Sequence, residues 1–258
     1  MNNLWSLDLS ELMEFENGRS EYLTNPEWNP IDTKGQVIPK PVSNHSSVVY
    51  DGSMYMFGGS NGNIDNISMY KLDLSKYSWT VIKSKPLNGL QENFPHTRDE
   101  HSCVLMDSTM VIFGGFAYGE RTNDIFQYFF KTNTWEKVNA VGDVAPCPRV
   151  GHSAVIYYNQ KKGDHMYIFG GKDDENNKLN DTWKFNFSTN EWSEVPQLDE
   201  PVPRSGHAAC IFNDYMIVYG GIFDICKELN DMHVFDMKND RWICLFEELY
   251  SPQGNPST

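Results

Sequence analysis

Short apolar runs separated by Gly, Asn, Asp or Pro recur along the whole chain, and none follows a helical period. The clearest are MYMF, MVIF, MYIF and MIVY, each ending at a glycine pair: Gly58-Gly59, Gly114-Gly115, Gly170-Gly171 and Gly220-Gly221. Each run is strand-sized and rich in aromatic or β-branched residues, and each period holds four such segments. For the first complete period the pattern predicts strands near 46–50, 53–57, 67–72 and 78–82. For the third it predicts 152–158, 165–169, 182–187 and 191–195.

The glycine pairs are spaced 56, 56 and 50 residues apart, and other landmarks keep step with them. A histidine precedes each pair (His45, His101, His152, His207), the third lying further upstream because NQKKGD at 159–164 lengthens a turn. An Asn/Asp dipeptide follows: Asn123-Asp124, Asn180-Asp181 and Asn230-Asp231, with Asp65-Asn66 in reversed order in the first copy. A tryptophan closes each copy (Trp79, Trp135, Trp192, Trp242). An arginine stands three residues before the last three histidines (Arg98, Arg149, Arg204), where the first copy has Val42. Four antiparallel strands repeated at about 50 residues define the blade of a β-propeller, because radial repetition buries each sheet against its neighbours.

This combination, R-x-x-H-S/A, then F-G-G, N-D and W, resembles the kelch repeat. It is most similar to the subtype found in host cell factor and the leucine-zipper-like regulators, and it covers almost all of residues 1–258. The glycines are expected to take positive φ in a tight turn, the tryptophan to act as an apolar plate between blades, and the Asn/Asp pair to hydrogen-bond its own turn. The expected fold is all-β: four full four-stranded blades (42–82, 98–138, 149–195 and 204–246) plus a two-stranded partial blade at 1–31. The partial blade is read from Asn2 to Leu7, which aligns with the third strand at 180–185, and from Trp28 as a closing tryptophan. An acidic insertion at roughly 10–25 separates the two. Residues 247–258 are read as the start of a link to a further blade, which makes this chain a portion of a larger propeller.

Charge narrows the partners. With 21 basic against 35 acidic residues the net charge is -14, the wrong sign for phosphate neutralisation, so nucleic acid is not an expected partner. No apolar run approaches the length of a bilayer span, so no membrane partner is expected either. The first residues lack the basic start and cleavage site of a secretory signal. Cys103, Cys147, Cys210, Cys226 and Cys244 form no C-x-x-C pair, which fits reduced thiols, and a cytoplasmic or nuclear location is expected. Sequons at Asn44, Asn66, Asn180 and Asn186 carry no weight in that setting.

Candidate chemistry then concentrates on one face. In a propeller the turns between second and third strands (60–65, 116–121, 172–178, 222–227) share a face with the links between blades (83–97, 139–148, 196–203). Phe116, Tyr118, Arg121 and Phe223 are the candidate anchors for a protein or peptide partner, because aromatics and arginine dominate binding hot spots. Arg98, Arg149 and Arg204 are candidates to ring the channel mouth with guanidinium forks, or else to tie down loop carbonyls and an aspartate. The four histidines repeat once per blade, so symmetry holds them apart and no metal site is expected. No cofactor or catalytic residue is assigned. Kelch-type enzymes do exist, such as copper-dependent galactose oxidase and the iron-dependent specifier proteins, so a catalytic or metal-dependent propeller is the competing reading. The specifier motif E-x-x-x-D-x-x-x-H fails here because Tyr128 follows Glu120 and Asp124, and no G-x-S-x-G, P-loop or H-E-x-x-H occurs. A regulatory domain of a larger enzyme, such as a phosphatase or ubiquitin-ligase adaptor, is the third reading. The expected function is a non-catalytic interaction scaffold.

Overall fold

A computed structural model describes residues 4–7, 28–35, 37–62, 69–159, 163–196, 198–224 and 227–246. Four twisted sheets stand side by side as the blades of a β-propeller. The first blade contains β4 (Ser46–Tyr50), β5 (Ser53–Phe57), β6 (Met69–Asp73) and β7 (Ser78–Ile82). The second contains β9 (Ser102–Met106), β10 (Thr109–Ala117), β11 (Glu120–Phe129) and β12 (Thr134–Val138). The third contains β13 (Ser153–Tyr157), β14 (His165–Lys172), β15 (Lys178–Asn186) and β16 (Glu191–Glu194). The fourth contains β17 (Ala208–Phe212), β18 (Tyr215–Asp224), β19 (Lys227–Asp236) and β20 (Arg241–Phe246). All four are antiparallel meanders in chain order. Ahead of them β1 (Leu4–Leu7) pairs with β2 (Trp28–Ile31) as the two-stranded piece, with Leu7 opposite Trp28. The acidic insertion at 10–25 and the tail at 247–258 lie outside the described residues, as does Asp65-Asn66. Among the described residues no helix is long and apolar enough to cross a membrane.

Two features extend the sequence reading. Short pieces of the links, β3 (Lys34–Gly35) and β8 (Lys85–Pro86), run parallel to β7 and β12 as a fifth strand on the outer edge. Val141 makes the equivalent bridge to Glu191. These pieces cover strand edges that would otherwise present unpaired backbone groups. The inner hairpins are also longer than the apolar runs imply. Pairing resumes beyond the glycine pair after a bulge, with Gly115 opposite Thr122 and Phe116 opposite Arg121. Residues 116–121 are therefore not a loop but the tip of a hairpin. Its turn, Tyr118-Gly119, has both residues at positive φ (59° and 86°), the twist-compatible two-residue connection.

Blade-to-blade packing explains the repeat. The aromatic before each glycine pair, Phe57, Phe113 or Phe169, is fully buried between the histidine and tryptophan of the next blade. That histidine bonds through Nε2 to the serine following the previous blade's histidine: His101 to Ser46 (2.6 Å), His152 to Ser102 (2.8 Å) and His207 to Ser153 (2.8 Å). The glycines are required where blades meet. A Cβ on Gly58 would lie 2.3 Å from the Arg98 carbonyl, and one on Gly114 would lie 3.0 Å from the Arg149 carbonyl. The N–H groups of Gly59, Gly115 and Gly171 donate to the carbonyls of Arg98, Arg149 and Arg204 in the next blade.

Around the channel a second chain of backbone bonds passes from blade to blade. The residue before each histidine takes positive φ (Asn44, Glu100, Gly151, Gly206). Glu100 N–H donates to Asn44, Gly151 to Glu100, and Gly206 to Gly151.

Candidate functional site

The three arginines that sequence reading placed at the channel mouth are instead enclosed. Their side chains have no solvent exposure, and each forks onto the aspartate of its own blade's Asn-Asp pair. Arg149 reaches both oxygens of Asp181 at 2.7 Å, and Arg204 reaches those of Asp231 at 2.6 and 2.8 Å. Nη1 of each also donates to a glycine carbonyl, of Gly114, Gly170 or Gly220, and Nε donates to a carbonyl two residues earlier. With their donors spent inside the blade, Arg98, Arg149 and Arg204 present no fork to a partner, and their assignment to the binding surface is corrected. Burial alone would raise the Asp231 carboxyl, but hydrogen bonds from Arg204 and His233 outweigh it and hold the group below the usual range.

The Asn/Asp dipeptide also works differently from a self-bonded turn. Asn123 and Asn180 donate to the Pro146 and Pro201 carbonyls (2.9 and 3.3 Å), pinning the links between blades. Counting back four from the residue opposite the tryptophan gives Asp124, Asp181 and Asp231 in the last three blades. In the first blade that position lies outside the described residues, and Val42, at the arginine's place, packs against a small apolar cluster with Leu72 and Trp79.

The remaining candidates divide. Phe116 and Tyr118 are exposed (43% and 66%) at the tip of the second blade. Phe116 is fixed by two backbone bonds to Asp99 (2.9 and 3.2 Å), and the Tyr118 ring lies 3.6 Å, centroid to centroid, from the His96 ring. Arg121 reaches across to the third blade, donating to Asn176 Oδ1 at 2.6 Å. Phe223 is half buried, with Lys227 Nζ 5.3 Å above its ring. By bridge register the fourth-blade counterpart of Phe116 is Ile222, which is 40% exposed, and not Phe223. The corresponding positions in the other blades are Ser60 and Lys172.

Sequence reading missed the charged groups beside these aromatics. Lys172 and Lys178 sit directly opposite each other on β14 and β15, an arrangement of like charges that costs stability. Burial lowers the Lys178 pKa, and Lys172 and Arg121 lower it further against Glu100 and Asp224. Glu100 lies 3.6 Å from Lys172. Burial, then Glu100, raises the Asp99 carboxyl, while Ser60 opposes the shift. The signal was present in KDDENNK, whose two ends are both lysine, but its significance needed the hairpin register. Among the described residues no three His, Cys, Asp or Glu side chains gather to hold a metal ion.

A meander repeated in this register, locked by the His-Ser and Gly-Arg contacts, defines a kelch-type propeller. The chain belongs to that family: its residues 22–161 and 130–256 match the KLHDC2/KLHL20/DRC7 Kelch-repeats domain. Kelch domain-containing protein 10 of Homo sapiens is 31% identical over 199 residues, covering 72% of this chain and 42% of that protein. Kelch domain-containing protein 3 of Bos taurus is 31% identical over 201 residues, covering 73% and 49%. The leucine-zipper-like transcriptional regulator 1 homolog of Drosophila melanogaster is 29% identical, covering 71% and 18%. The chain therefore spans less than half the length of these relatives.

Proposed function

We propose that this chain is a non-catalytic interaction module whose partner is a protein or peptide bound on the face formed by the hairpin tips. The observation that carries this reading is the exposure of Phe116 and Tyr118 on a hairpin whose backbone is fixed by β-bridging. Exposed aromatics on a rigid support lose little conformational entropy on binding and are the residue types that dominate interface energetics. Arg121, Lys172 and Lys178 beside them add positive charge in an acidic protein, which favours a partner segment bearing carboxylates. Phe223 contributes from the edge of the same face. The kelch relatives are in keeping with such a role, which we place in the cytoplasm or nucleus.

The test is to change Phe116, Tyr118 and Phe223 together to serine and compare partner capture and thermal midpoint with the parent. Capture should be lost with little change in midpoint, since Phe116 and Tyr118 are exposed and stand apart from the blade-to-blade contacts described above. Full capture by a normally folded triple variant would place the binding surface elsewhere.

A further inference from the structure

In three successive joints the residue six places after one blade's tryptophan pairs with the outer strand of the next blade. Lys34 follows Trp28, Lys85 follows Trp79 and Val141 follows Trp135 by that interval, and they face Ser78, Thr134 and Glu191. Each N–H donates to the carbonyl of a left-handed residue two places before the tryptophan. These acceptors are Tyr77 (2.9 Å), Asn133 (3.1 Å) and Asn190 (2.7 Å), with φ between 50° and 57°.

The fourth blade breaks the rule. Asp240 holds the same left-handed position (φ 52°), but Leu198, six places after Trp192, makes no bridge to β20 and is 61% exposed. The cause is length. Arg204 follows Trp192 by 12 residues, whereas Arg149 follows Trp135 by 14 and Arg98 follows Trp79 by 19. The short link turns early, at Asp199 (φ 57°), and among the described residues no link N–H donates to the Asp240 carbonyl. Between the link and Trp242–Cys244 of β20 lies a cleft of about 690 Å³. β20 is left as a bare edge with Cys244, Leu245 and Phe246 exposed, and an uncovered edge is a template for an added strand.

The walls select by charge. Asp199 and Glu200 form the link side of the cleft, and Lys227, also in its lining, is engaged with the Phe223 ring. Two of the three strands seated in the other blades place a lysine at the donating position. We propose that the outer edge of the fourth blade takes up an extended segment of a partner protein, added as a strand parallel to β20, with a basic residue donating its N–H to the Asp240 carbonyl. Main-chain bonds supply the affinity and the acidic rim the preference. The proposal does not rest on the hairpin-tip reading.

The probe is a capped peptide with the sequence of residues 82–88, whose Lys-Pro pair forms β8 in the second blade. Its proline holds the preceding lysine extended. Titrated into the full chain and followed by NMR, it should bind saturably and shift the amides of Arg241–Cys244. N-methylation at the lysine corresponding to Lys85 removes the donor and should weaken binding about threefold to tenfold, the worth of one hydrogen bond. Glutamate in place of that lysine should also weaken it, more so at low salt. A chimera in which the sequence of 139–148 replaces 196–203 has a link two residues longer. It supplies the strand from within and should weaken peptide binding at least about tenfold. Should the chimera fail to fold, the altered peptides decide on the parent chain. The proposal is overturned by the absence of a saturable shift at Arg241–Cys244, by equal binding of either altered peptide, or by undiminished binding to a folded chimera. It is overturned too if the free chain is a dimer whose β20 contact the peptide does not displace, since a second copy then holds the edge. Serine at both Phe116 and Tyr118 should leave peptide binding unchanged, so failure here and failure of the hairpin-tip reading give different results.

Discussion

A guanidinium with no solvent exposure is tolerable only when its charge and its N–H groups are matched, and at Arg98 both conditions are met. Asp124 takes Nη1 and Nη2 at 2.6 and 3.2 Å, and two backbone carbonyls take further donors. Removing one partner strands the other, which typically costs about 3–5 kcal/mol, whereas removing both and substituting apolar packing can be nearly neutral. In the first blade Val42 stands at the arginine's place and packs beside Leu72 and Trp79. Arg98→Val should therefore lower the unfolding free energy by about 3–5 kcal/mol, and Arg98→Val with Asp124→Ser should recover more than half of that loss. Urea denaturation of the two single variants and the double variant measures the coupling. Additive losses would mean that the pair is not the unit described. At the same scale Glu100 occupies a left-handed position that Gly151 and Gly206 fill without strain, held there by its place in the backbone chain around the channel.

At the scale of strands and blades, histidines and tryptophans carry the contact between sheets. Burial, with the adjacent arginine adding to it, pushes the His101 and His207 pKa values down to about 3 and that of His152 well below its ordinary value. These rings stay neutral in the folded state at pH values where the unfolded chain protonates them. A depressed folded pKa means that stability is fully present above about pH 6.5 and is lost as pH falls toward 3, by about 1.4 kcal/mol per pH unit for each proton taken up on unfolding. Unfolding free energies should therefore drop steeply between pH 6.5 and pH 5. His152→Gln, which keeps a group able to bond Ser102, should reduce the slope by about one proton's worth. An unchanged slope would remove His152 from the account. The tryptophans make a second prediction. Trp135 and Trp192 are buried between complete blades, while Trp28 is 62% exposed. Trp→Ala at 135 or 192 should cost about 3–5 kcal/mol, and at 28 clearly less, as thermal or urea midpoints will show. The opposite ranking would contradict the assignment of β1 and β2 to an incomplete blade.

Over the whole molecule the blades were legible because propeller packing is nearest-neighbour packing, which forces the same residues to recur at the same register. Strands β4, β5 and β7 fall on the residues the apolar pattern predicts. The hairpin tips were not legible, because pairing resumes past each glycine pair only through a bulge, and the polar residues that follow resemble loop. The arginines were ambiguous for a physical reason: a buried guanidinium and an exposed one are written with the same letter, and only the aspartate four residues before the tryptophan-facing position separates them. Phe116, Tyr118, Arg121 and Phe223 stood out by composition, but only the register shows that the fourth-blade equivalent of Phe116 is Ile222, one residue before Phe223.

The glycine-pair aromatic gripped by a neighbour's histidine and tryptophan has a consequence for how such a chain changes over generations. Each of the second and third blades carries the complete plug on one side and the complete socket on the other, so either is interchangeable in principle with its neighbour. Duplication or deletion of one unit, cut between the tryptophan of one blade and the arginine of the next, would leave every remaining joint made of the same parts. The hairpin tips lie outside the grip of histidine and tryptophan on the aromatic, touching across blades through polar side chains such as Arg121 with Asn176 and Lys172 with Glu100, and can diverge without changing it. Architecture and recognition can thus be inherited separately, with the number of units changing by recombination while specificity drifts by point mutation at the tips.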